Sequence, residues 1–336
     1  MHLKMLNTSF DNHQLKVFAA FAAIYIIWGS TYLAMRYMVE TIPPLLSVGI
    51  RFTIAGLILS AWFYLRTKKK PGREDLKGAV VLGVLMIFIG YSTLAWAQQF
   101  IPSGLAASVV ASISIWMVLL DWKIFGNKKP DKLTVTGLLM GIIGVALLTI
   151  LKDDVLINKS ISGGSVLVGV GIITVATFVW AYGSLYSRKI KNTIPLSFMV
   201  GLQMIFGGIL LIVVGSILGE WSSFNMSRIS VLSIGSLLYL ILAGTVIAHS
   251  AFYWLLRVKS PALVGTYAFF NPMIALLLGV LLAGEMLTPV MILGAGLILS
   301  SIFIIKKTSF RLKNFKNIFN GNGLLNNHNK KVLEVK

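Results

Sequence analysis

The chain has 336 residues, of which 57% are hydrophobic and only 12% are charged, with a formal net charge of +19 and no cysteine. A soluble domain carries about a quarter of its residues as charged side chains. This composition therefore excludes a water-soluble fold and indicates an all-α integral membrane protein. The absence of cysteine excludes disulfides and thiolate metal sites, and no cofactor or metal is expected.

Apolar runs of about 18 residues or more recur along the whole chain, and each can cross a bilayer as a helix. Helices are expected because an isolated strand cannot satisfy its backbone hydrogen bonds in lipid. Proline and glycine separate the runs. The first run continues into Trp28 without a cleavage site, which predicts a retained helix rather than a signal peptide. The predicted spans are residues 17–39, 44–66, 77–100, 103–123, 133–151, 165–187, 196–218, 230–256, 261–284 and 288–305.

The basic residues lie mostly on one side of these ten spans. When the N-terminus is placed on one side, 25 of the 30 Lys and Arg residues fall there and three fall on the other side. Positively charged loops remain in the cytoplasm, which predicts a plasma-membrane protein with both termini cytoplasmic and a basic tail at residues 306–336. Such loops contact anionic lipid headgroups, so no nucleic-acid partner is expected.

A pattern in the first span recurs in the second half of the chain at a constant distance. At an offset of 152 residues the matched pairs are Trp28 and Trp180, Leu33 and Leu185, Arg36 and Arg188, Thr41 and Thr193, Ile42 and Ile194, Pro43 and Pro195, and Gly56 and Gly208. In the later spans the offset is 158, and the matched pairs are Trp96 and Trp254, and Leu105 and Leu263. Each copy holds five spans, and an odd number makes the second copy enter the membrane from the opposite face. The sequence therefore predicts two inverted five-helix repeats, 17–151 and 165–305, as in many secondary transporters.

Four segments carry a family resemblance: WGSTYLAMR, PPLLSVGIRF, WAYGSLYSR and SPALVGTYAFFNPMIALLLGVLLAGE. They resemble the EamA branch of the drug/metabolite transporter superfamily, in order over about residues 17–305. The resemblance implies ten transmembrane helices in two EamA repeats and a central cavity lined by helices 1, 3, 4, 6, 8 and 9. It also implies transport of small metabolites or drugs, often as efflux. Span four departs from the family pattern because it lacks the proline that span nine keeps at Pro272, so the role of Glu285 is not carried over to the first half.

Polar and aromatic side chains inside the apolar spans are the candidates for the cavity wall. An unpaired hydroxyl or amide in an apolar medium costs a few kcal/mol, so these side chains should face the interior of the bundle. Some of them lie one helical turn apart on a shared face, and close packing between helices is the alternative role. The predicted substrate-binding residues are Trp28, Thr31, Tyr32, Tyr91, Ser112, Ser114, Trp180, Ser184, Tyr267 and Asn271, and no catalytic residue is predicted.

Three titratable side chains within or at the ends of the spans have separate predictions. Arg51 lies about seven residues, roughly 10 Å, inside span two, and a buried charge is usually paired or functional. Glu40 and Glu285 are its candidate partners in a structural ion pair, and contact with substrate is the alternative. His249 can change charge near neutral pH and is the candidate for proton coupling, with a neutral, hydrogen-bonded imidazole as the alternative.

The leading functional hypothesis is a secondary transporter, most often an exporter, of small metabolites, amino acids or drugs. A lipid flippase or scramblase of the same fold is the first alternative. A membrane-embedded enzyme is the second, and it is disfavoured because no acid, base or metal-ligand cluster is present in the sequence. A homodimer also remains open, because GxxxG-like spacing such as Gly137 to Gly141 mostly reflects tight helix contact but also occurs at dimer interfaces.

Overall fold

The computed structural model describes residues 12–97, 103–149, 163–283 and 288–307. These residues form ten main helical segments and two short helical turns, Glu220–Ser223 and Met226–Arg228, and no strand occurs among them. The segments are α1, Asn12–Thr41; α2, Pro44–Thr67; α3, Arg73–Ala97; α4, Ser103–Val110 and Ile113–Lys123; α5, Lys132–Thr149; α6, Gly163–Ser187; α7, Leu196–Ile217; α8, Val231–Val258; α9, Pro261–Gly265 and Tyr267–Ala283; and α10, Pro289–Lys307.

Seven stretches of these helices are long and apolar enough to cross a membrane: α1, α2, α3, the part of α6 from Leu167 to Ser187, α7, α8 and α10. Of the other three, α4 is interrupted after Val110, α9 is interrupted at Thr266, and α5 is a shorter apolar helix. The predicted all-helical, multi-pass character is therefore confirmed, and the count of ten membrane crossings stays a prediction. Glu285 and the tail beyond residue 307 lie outside the described residues.

Several helices begin where proline or a capping hydroxyl predicts a helix start. Pro44 is the first residue of α2, a position where its missing N–H removes no helical hydrogen bond. The hydroxyl of Ser260 accepts a hydrogen bond from the backbone N–H of Leu263 at the start of α9. These signals fix the ends of the helices, which in turn fix the depth of each side chain in the bundle.

Helices α2 and α7 cross at glycines and run antiparallel. A Cβ added at Gly56 would lie 2.6 Å from the carbonyl oxygen of Gly201, and one added at Gly49 would lie 2.9 Å from that of Gly208. The reverse contacts are equally close, at 3.0 Å from Gly201 to Gly56 and 2.9 Å from Gly208 to Gly49. Only glycine permits this approach of the two backbones, so the crossing holds α2 and α7 closely together.

Three helices contain wide π-helical turns, at Ala23–Ile27 in α1, Gly83–Tyr91 in α3 and Leu240–Ile247 in α8. Trp28 follows the first of these turns directly, and Tyr91 ends the second. His249 comes two residues after the third. Since π turns often accompany functional sites, this arrangement directs attention to the place where these three side chains meet.

Candidate functional site

A cavity of about 70 Å³ lies between α1, α3, α4, α6 and α9. It is on the side of the bundle opposite the N-terminal end of α1, because its α1 residues come from the second half of that helix. Seven predicted binding residues line it, namely Trp28, Thr31, Tyr32, Tyr91, Trp180, Tyr267 and Asn271. The sequence thus identified most of the polar and aromatic wall, while the role of these residues in binding remains a prediction.

Trp28 is fixed at the base of the cavity by one hydrogen bond and several rings. Its indole Nε1 donates to the carbonyl oxygen of Gly244, 3.0 Å away in the π turn of α8. Its ring lies 4.7 Å from that of Tyr267, 5.0 Å from that of Phe252 and 5.1 Å from that of His249, measured between centroids. Edge and tilted contacts of this kind stabilise an aromatic cluster, so Trp28 forms a rigid floor.

Trp180 and Asn271 line the cavity, and their polar atoms have only weak partners within the protein. Trp180 Nε1 makes no hydrogen bond of normal geometry, and its polar partner is the Tyr267 side chain. Asn271 Oδ1 makes none either, and its polar partner is the Tyr32 side chain. Both atoms are buried by their neighbours in this conformation, so a molecule in the cavity reaches them only when the wall moves.

Tyr91 and His249 form a polar contact beside these tryptophans. The Tyr91 hydroxyl lies 3.3 Å from His249 Nε2, and His249 Nδ1 lies 3.3 Å from the carbonyl oxygen of Gly244. A neutral imidazole with its proton on Nδ1 satisfies both contacts. The His249 side chain is fully buried.

Arg51 is also fully buried, and its partners differ from the predicted ones. Its Nε donates to the Thr245 hydroxyl at 2.7 Å, and its guanidinium carbon lies 5.2 Å from the centre of the Tyr91 ring. No carboxylate of the described residues pairs with it. Glu40 is exposed to the surroundings of the bundle, so the predicted ion pair with Glu40 is wrong. The prediction failed because depth along a helix does not specify which way a side chain points.

Three predicted wall residues do not line the cavity. The Ser114 hydroxyl donates to the carbonyl oxygen of Gly265 at 2.7 Å and joins α4 to α9. The Ser184 hydroxyl donates to the Trp180 carbonyl of its own helix at 2.7 Å. The Ser112 hydroxyl lies behind the wall, 3.0 Å from that of Thr177. The predicted position of these serines was wrong because a hydroxyl in an apolar helix can be satisfied by a backbone carbonyl as well as by a cavity.

The remaining wall residues are mostly apolar, and sequence reasoning missed all of them except Met35, which it placed on the same helical face as Trp28. They are Met35, Gly90, Leu94, Val110, Ile113, Ile173, Ala176 and Thr177. Thr177 had a detectable signal, because it lies one helical turn before Trp180. The wall contains aromatic rings, hydroxyls, one amide and apolar groups but no formally charged side chain, which suits reversible binding of a small organic molecule rather than covalent chemistry.

The sequence comparisons agree with this architecture. The family model described as "EamA-like transporter family" matches residues 15–150 and 167–306. An uncharacterized inner membrane transporter, YedA of Escherichia coli K12, is 36% identical over 296 residues, which is 87% of this chain and 90% of YedA. A probable amino-acid metabolite efflux pump of the same organism is 26% identical over 288 residues, which is 84% of this chain and 91% of the pump.

One crystal structure has the same fold, with a TM-score of 0.72 and 19% sequence identity over 89% of this chain and 98% of that one. The family match and the similarity to YedA extend over both halves of the molecule, and the predicted EamA resemblance is confirmed. The relatives are transporters rather than enzymes. The chain is therefore a multi-pass membrane protein that belongs to the EamA-like transporter family.

Proposed function

We propose that the protein is a secondary transporter that exports small metabolites, amino acids or drugs across the plasma membrane by alternating access. The observation that carries this proposal is a central cavity whose wall includes Trp28 from the first half and Trp180 from the second, at matched positions. A site shared by two halves can be exposed to either side of the membrane when the halves exchange conformations. Both termini are proposed to be cytoplasmic, which places the cavity in the outer half of the bundle.

The contacts around the cavity support two halves related by an approximate two-fold axis. Tyr91 and His249 are 158 residues apart, the offset that also relates the later spans. The ring distance from Trp28 to His249 is 5.1 Å, and the matched distance from Trp180 to Tyr91 is 5.4 Å. Each tryptophan thus contacts the Tyr or His of the opposite half.

The crossing of α2 and α7 supports the inverted orientation of the halves. Gly49 and Gly56 of α2 match Gly201 and Gly208 of α7 at the offset of 152, and the two helices are antiparallel at this contact. Two matched helices that point in opposite directions are expected when the second repeat is inverted with respect to the first. We therefore propose ten crossings in two inverted repeats, residues 17–151 and 165–305.

The cavity volume indicates that this conformation is narrower than the loaded one. Pockets for small ligands are typically about 300–1,000 Å³, whereas this cavity is about 70 Å³. Side chains at its wall must therefore move apart when substrate enters. Such movement is part of alternating access, since the rings at the floor separate the cavity from the N-terminal side of the bundle.

The substrate class follows from the wall and from one relative. Aromatic rings can stack on a substrate, while the weakly paired Trp180 donor and Asn271 acceptor can orient it once the wall has moved. A neutral or zwitterionic metabolite fits this chemistry, in keeping with the amino-acid metabolites named for one relative. His249 stays the candidate for proton coupling, although its contacts already satisfy a neutral ring. A homodimer also stays a proposal.

Uptake by the purified protein in proteoliposomes tests the function. The vesicles would receive a mixture of amino acids and related metabolites, with and without a pH gradient. Selective accumulation is expected, and the folded triple variant Trp28→Ala, Trp180→Ala, Asn271→Ala should accumulate nothing above empty vesicles. If that variant transports like the wild type, the cavity is not the substrate site.

A lipid flippase is the alternative, and the same vesicles test it. A fluorescent phospholipid placed in both leaflets can be bleached from outside by a membrane-impermeant reductant. Transport predicts that about half of the label stays protected, because one leaflet is inaccessible. Loss of that protection together with no metabolite uptake would favour the flippase.

A further inference from the structure

Arg51 carries a positive charge that neutral groups surround. Its side chain is 0% exposed and lies in the first third of α2, seven residues after Pro44. Its Nε donates to the hydroxyl of Thr245, which in turn donates to the carbonyl oxygen of Leu240 at 2.8 Å. The rings of Phe52 and Tyr91 lie 5.0 and 5.2 Å from the guanidinium carbon. These partners are neutral, so they stabilise the guanidinium without neutralising its positive charge.

Nothing in the described part of the chain supplies the opposite charge. Its Nη1 atom has no hydrogen-bond partner there, and no carboxylate of residues 12–97, 103–149, 163–283 or 288–307 pairs with it. The matched position in α7, at the offset of 152, is Gln203, which is also 0% exposed but neutral. An unpaired charge inside a membrane protein is costly and usually functional.

Glu285, the other predicted partner, lies outside the described residues, so an ion pair with it stays a prediction. Among the described residues, the cavity is the space close to Arg51 in which an opposite charge can be placed.

One layer of atoms separates Arg51 from the cavity. A Cβ placed on Gly244 would lie 3.2 Å from Arg51 Nη2 and 3.0 Å from Cγ2 of Thr31. The guanidinium is thus within about 6 Å of a wall residue, and Tyr91 is a second wall residue in contact with it. In this water-poor interior the field of the charge extends into the cavity.

We propose that Arg51 makes the cavity selective for molecules that carry an anionic group, in particular a carboxylate. This inference rests on the proposed transport function and narrows its substrate class to acids and zwitterions, at the expense of amines and cationic drugs. Arg51 acts through space as a specificity-determining residue, since the layer formed by Gly244, Thr31 and Tyr91 lies between it and the substrate. At an effective dielectric constant of about 20, a unit charge about 8 Å from the guanidinium changes the occupancy of an anion by roughly thirtyfold.

Quenching of tryptophan fluorescence tests this field without a known substrate. Iodide is an anionic quencher and caesium a cationic one, and both are small enough to approach the wall. The contribution of Trp180 is isolated by comparing each protein with the same protein carrying Trp180→Phe. Each quenching constant is divided by the one that the same ion gives with free tryptophan amide, because caesium is the weaker quencher. The normalised constant at Trp180 should be larger for iodide than for caesium in the wild-type background. Equal normalised constants, or no quenching by either ion, would overturn the proposal.

Variants of Arg51 separate its field from the net charge of the whole protein. Arg51→Gln should lower the iodide-to-caesium ratio of quenching constants at Trp180 by roughly fivefold or more, and Arg51→Lys should keep it within about twofold. Arg51→Met provides a second neutral variant if Arg51→Gln does not fold, because its unbranched apolar side chain suits the neighbouring rings. Arg228→Gln removes an exposed arginine outside the bundle and should leave the ratio unchanged. An equal fall in Arg228→Gln would assign the preference to net charge and refute the role of Arg51.

The transport assay distinguishes failure of this inference from failure of the transporter function. A carboxylate compound that the wild type transports would be compared with its uncharged carboxamide. The acid should be preferred by the wild type and by Arg51→Lys, and the preference should fall roughly tenfold or more in Arg51→Gln. Transport of amines in preference to acids would refute the inference while supporting the transporter. Iodide selectivity without any transport would support the inference about the field but count against the transporter.

Discussion

Two contacts that join the halves of the chain occupy matched positions on opposite faces of the molecule. On the face of the N-terminus, Asp75 of α3 accepts a hydrogen bond from the backbone N–H of Thr193 at 2.9 Å and another from the Thr193 hydroxyl. On the opposite face, Thr41 donates to the hydroxyl of Ser233 of α8 at 2.7 Å. Thr41 and Thr193 differ by 152 residues, and Asp75 and Ser233 differ by 158.

The same contact is thus made by a carboxylate on one face and by a hydroxyl on the other. Hydrogen bonds to a charged acceptor are roughly twice as strong as those between neutral groups. At matching positions in the two halves, the backbone geometry is therefore the same while the side chains differ in chemistry. The unequal pairs Arg51 with Gln203 and Tyr91 with His249 follow the same rule at the cavity. If the protein works by the proposed alternating access, the shared geometry allows two interchangeable states and the unequal side chains distinguish what each state binds.

The largest expected effect comes from breaking the matched crossing of α2 and α7. In Gly56→Leu, the new Cβ would lie 2.6 Å from the carbonyl oxygen of Gly201, and backbone cannot move aside cheaply. Overpacking of this kind should destabilise the protein by about 3 kcal/mol or more. The measurement is the thermal unfolding midpoint in detergent, together with the yield of monodisperse protein.

Gly171→Leu is the matched control for this change, because nothing lies within 4 Å of a Cβ added at Gly171. It places the same side chain on an exposed part of α6 and should shift stability by no more than about 0.5 kcal/mol. Equal losses in the two variants would show that glycine is needed for reasons other than the crossing.

The next effect separates the two contacts between the halves. Asp75→Ala leaves the N–H and hydroxyl of Thr193 and the N–H of Gly72 without their acceptor. Unsatisfied donors to a charged group should cost about 2–3 kcal/mol. Ser233→Ala removes only neutral hydrogen bonds and should cost about 1 kcal/mol. Chemical or thermal unfolding of both variants checks the order, and a greater loss in Ser233→Ala would contradict the proposed asymmetry.

The sequence predicted the parts of this arrangement that leave a periodic or chemical signal. The length of the apolar runs predicted the helices, and proline predicted where several of them start. The offset of 152 identified Trp28 and Trp180 as equivalent. The sequence did not predict how far each helix is rotated about its own axis, so Ser114 and Ser184 were wrongly placed on the cavity wall. Apolar wall residues such as Ile113 were missed because a lipid-facing isoleucine has the same sequence signal. The π turns, which set the final rotation, depend on tertiary packing and have no local pattern.

A smaller effect separates the two matched tryptophans. Trp28 donates a hydrogen bond of normal geometry to Gly244, whereas Trp180 has only a weak contact with the Tyr267 side chain. Trp28→Phe should therefore destabilise the protein by about 1 kcal/mol, and Trp180→Phe should change stability by about 0.5 kcal/mol or less. Thermal unfolding of the two variants in the same detergent measures this difference.

Substrate affinity should show the opposite order for the two tryptophans. If the Trp180 indole N–H binds substrate, Trp180→Phe loses one hydrogen bond, worth about 1 kcal/mol or roughly fivefold in apparent affinity. Trp28→Phe keeps an aromatic floor and should change affinity less. The measurement is the concentration dependence of uptake for a transported compound. A greater loss of affinity in Trp28→Phe than in Trp180→Phe would show that substrate makes its polar contact with Trp28 rather than with Trp180.

The smallest effect concerns the hydrogen bond between Tyr91 and His249. The contact of 3.3 Å is long, so its loss should cost only about 0.5 kcal/mol. Tyr91→Phe also removes the interaction of the hydroxyl with Arg51, and the cost of the single variant therefore includes both contacts. A double-mutant cycle with His249→Gln isolates the coupling between the two side chains. Stability of the wild type, the two single variants and the double variant, all in one detergent, would give this coupling free energy.

The same four proteins distinguish a neutral hydrogen-bonding role of His249 from proton coupling. A histidine that carries the transported proton is needed for the response to a pH gradient, so His249→Gln should abolish that response while Tyr91→Phe keeps it. A histidine that only fixes the cavity geometry should leave the dependence on the gradient equal in all four proteins, whatever their rates. Because the buried cation of Arg51 and the absence of a contacting carboxylate among the described residues both disfavour an imidazolium here, we expect the second result. Loss of the gradient response in His249→Gln alone would assign proton coupling to this residue.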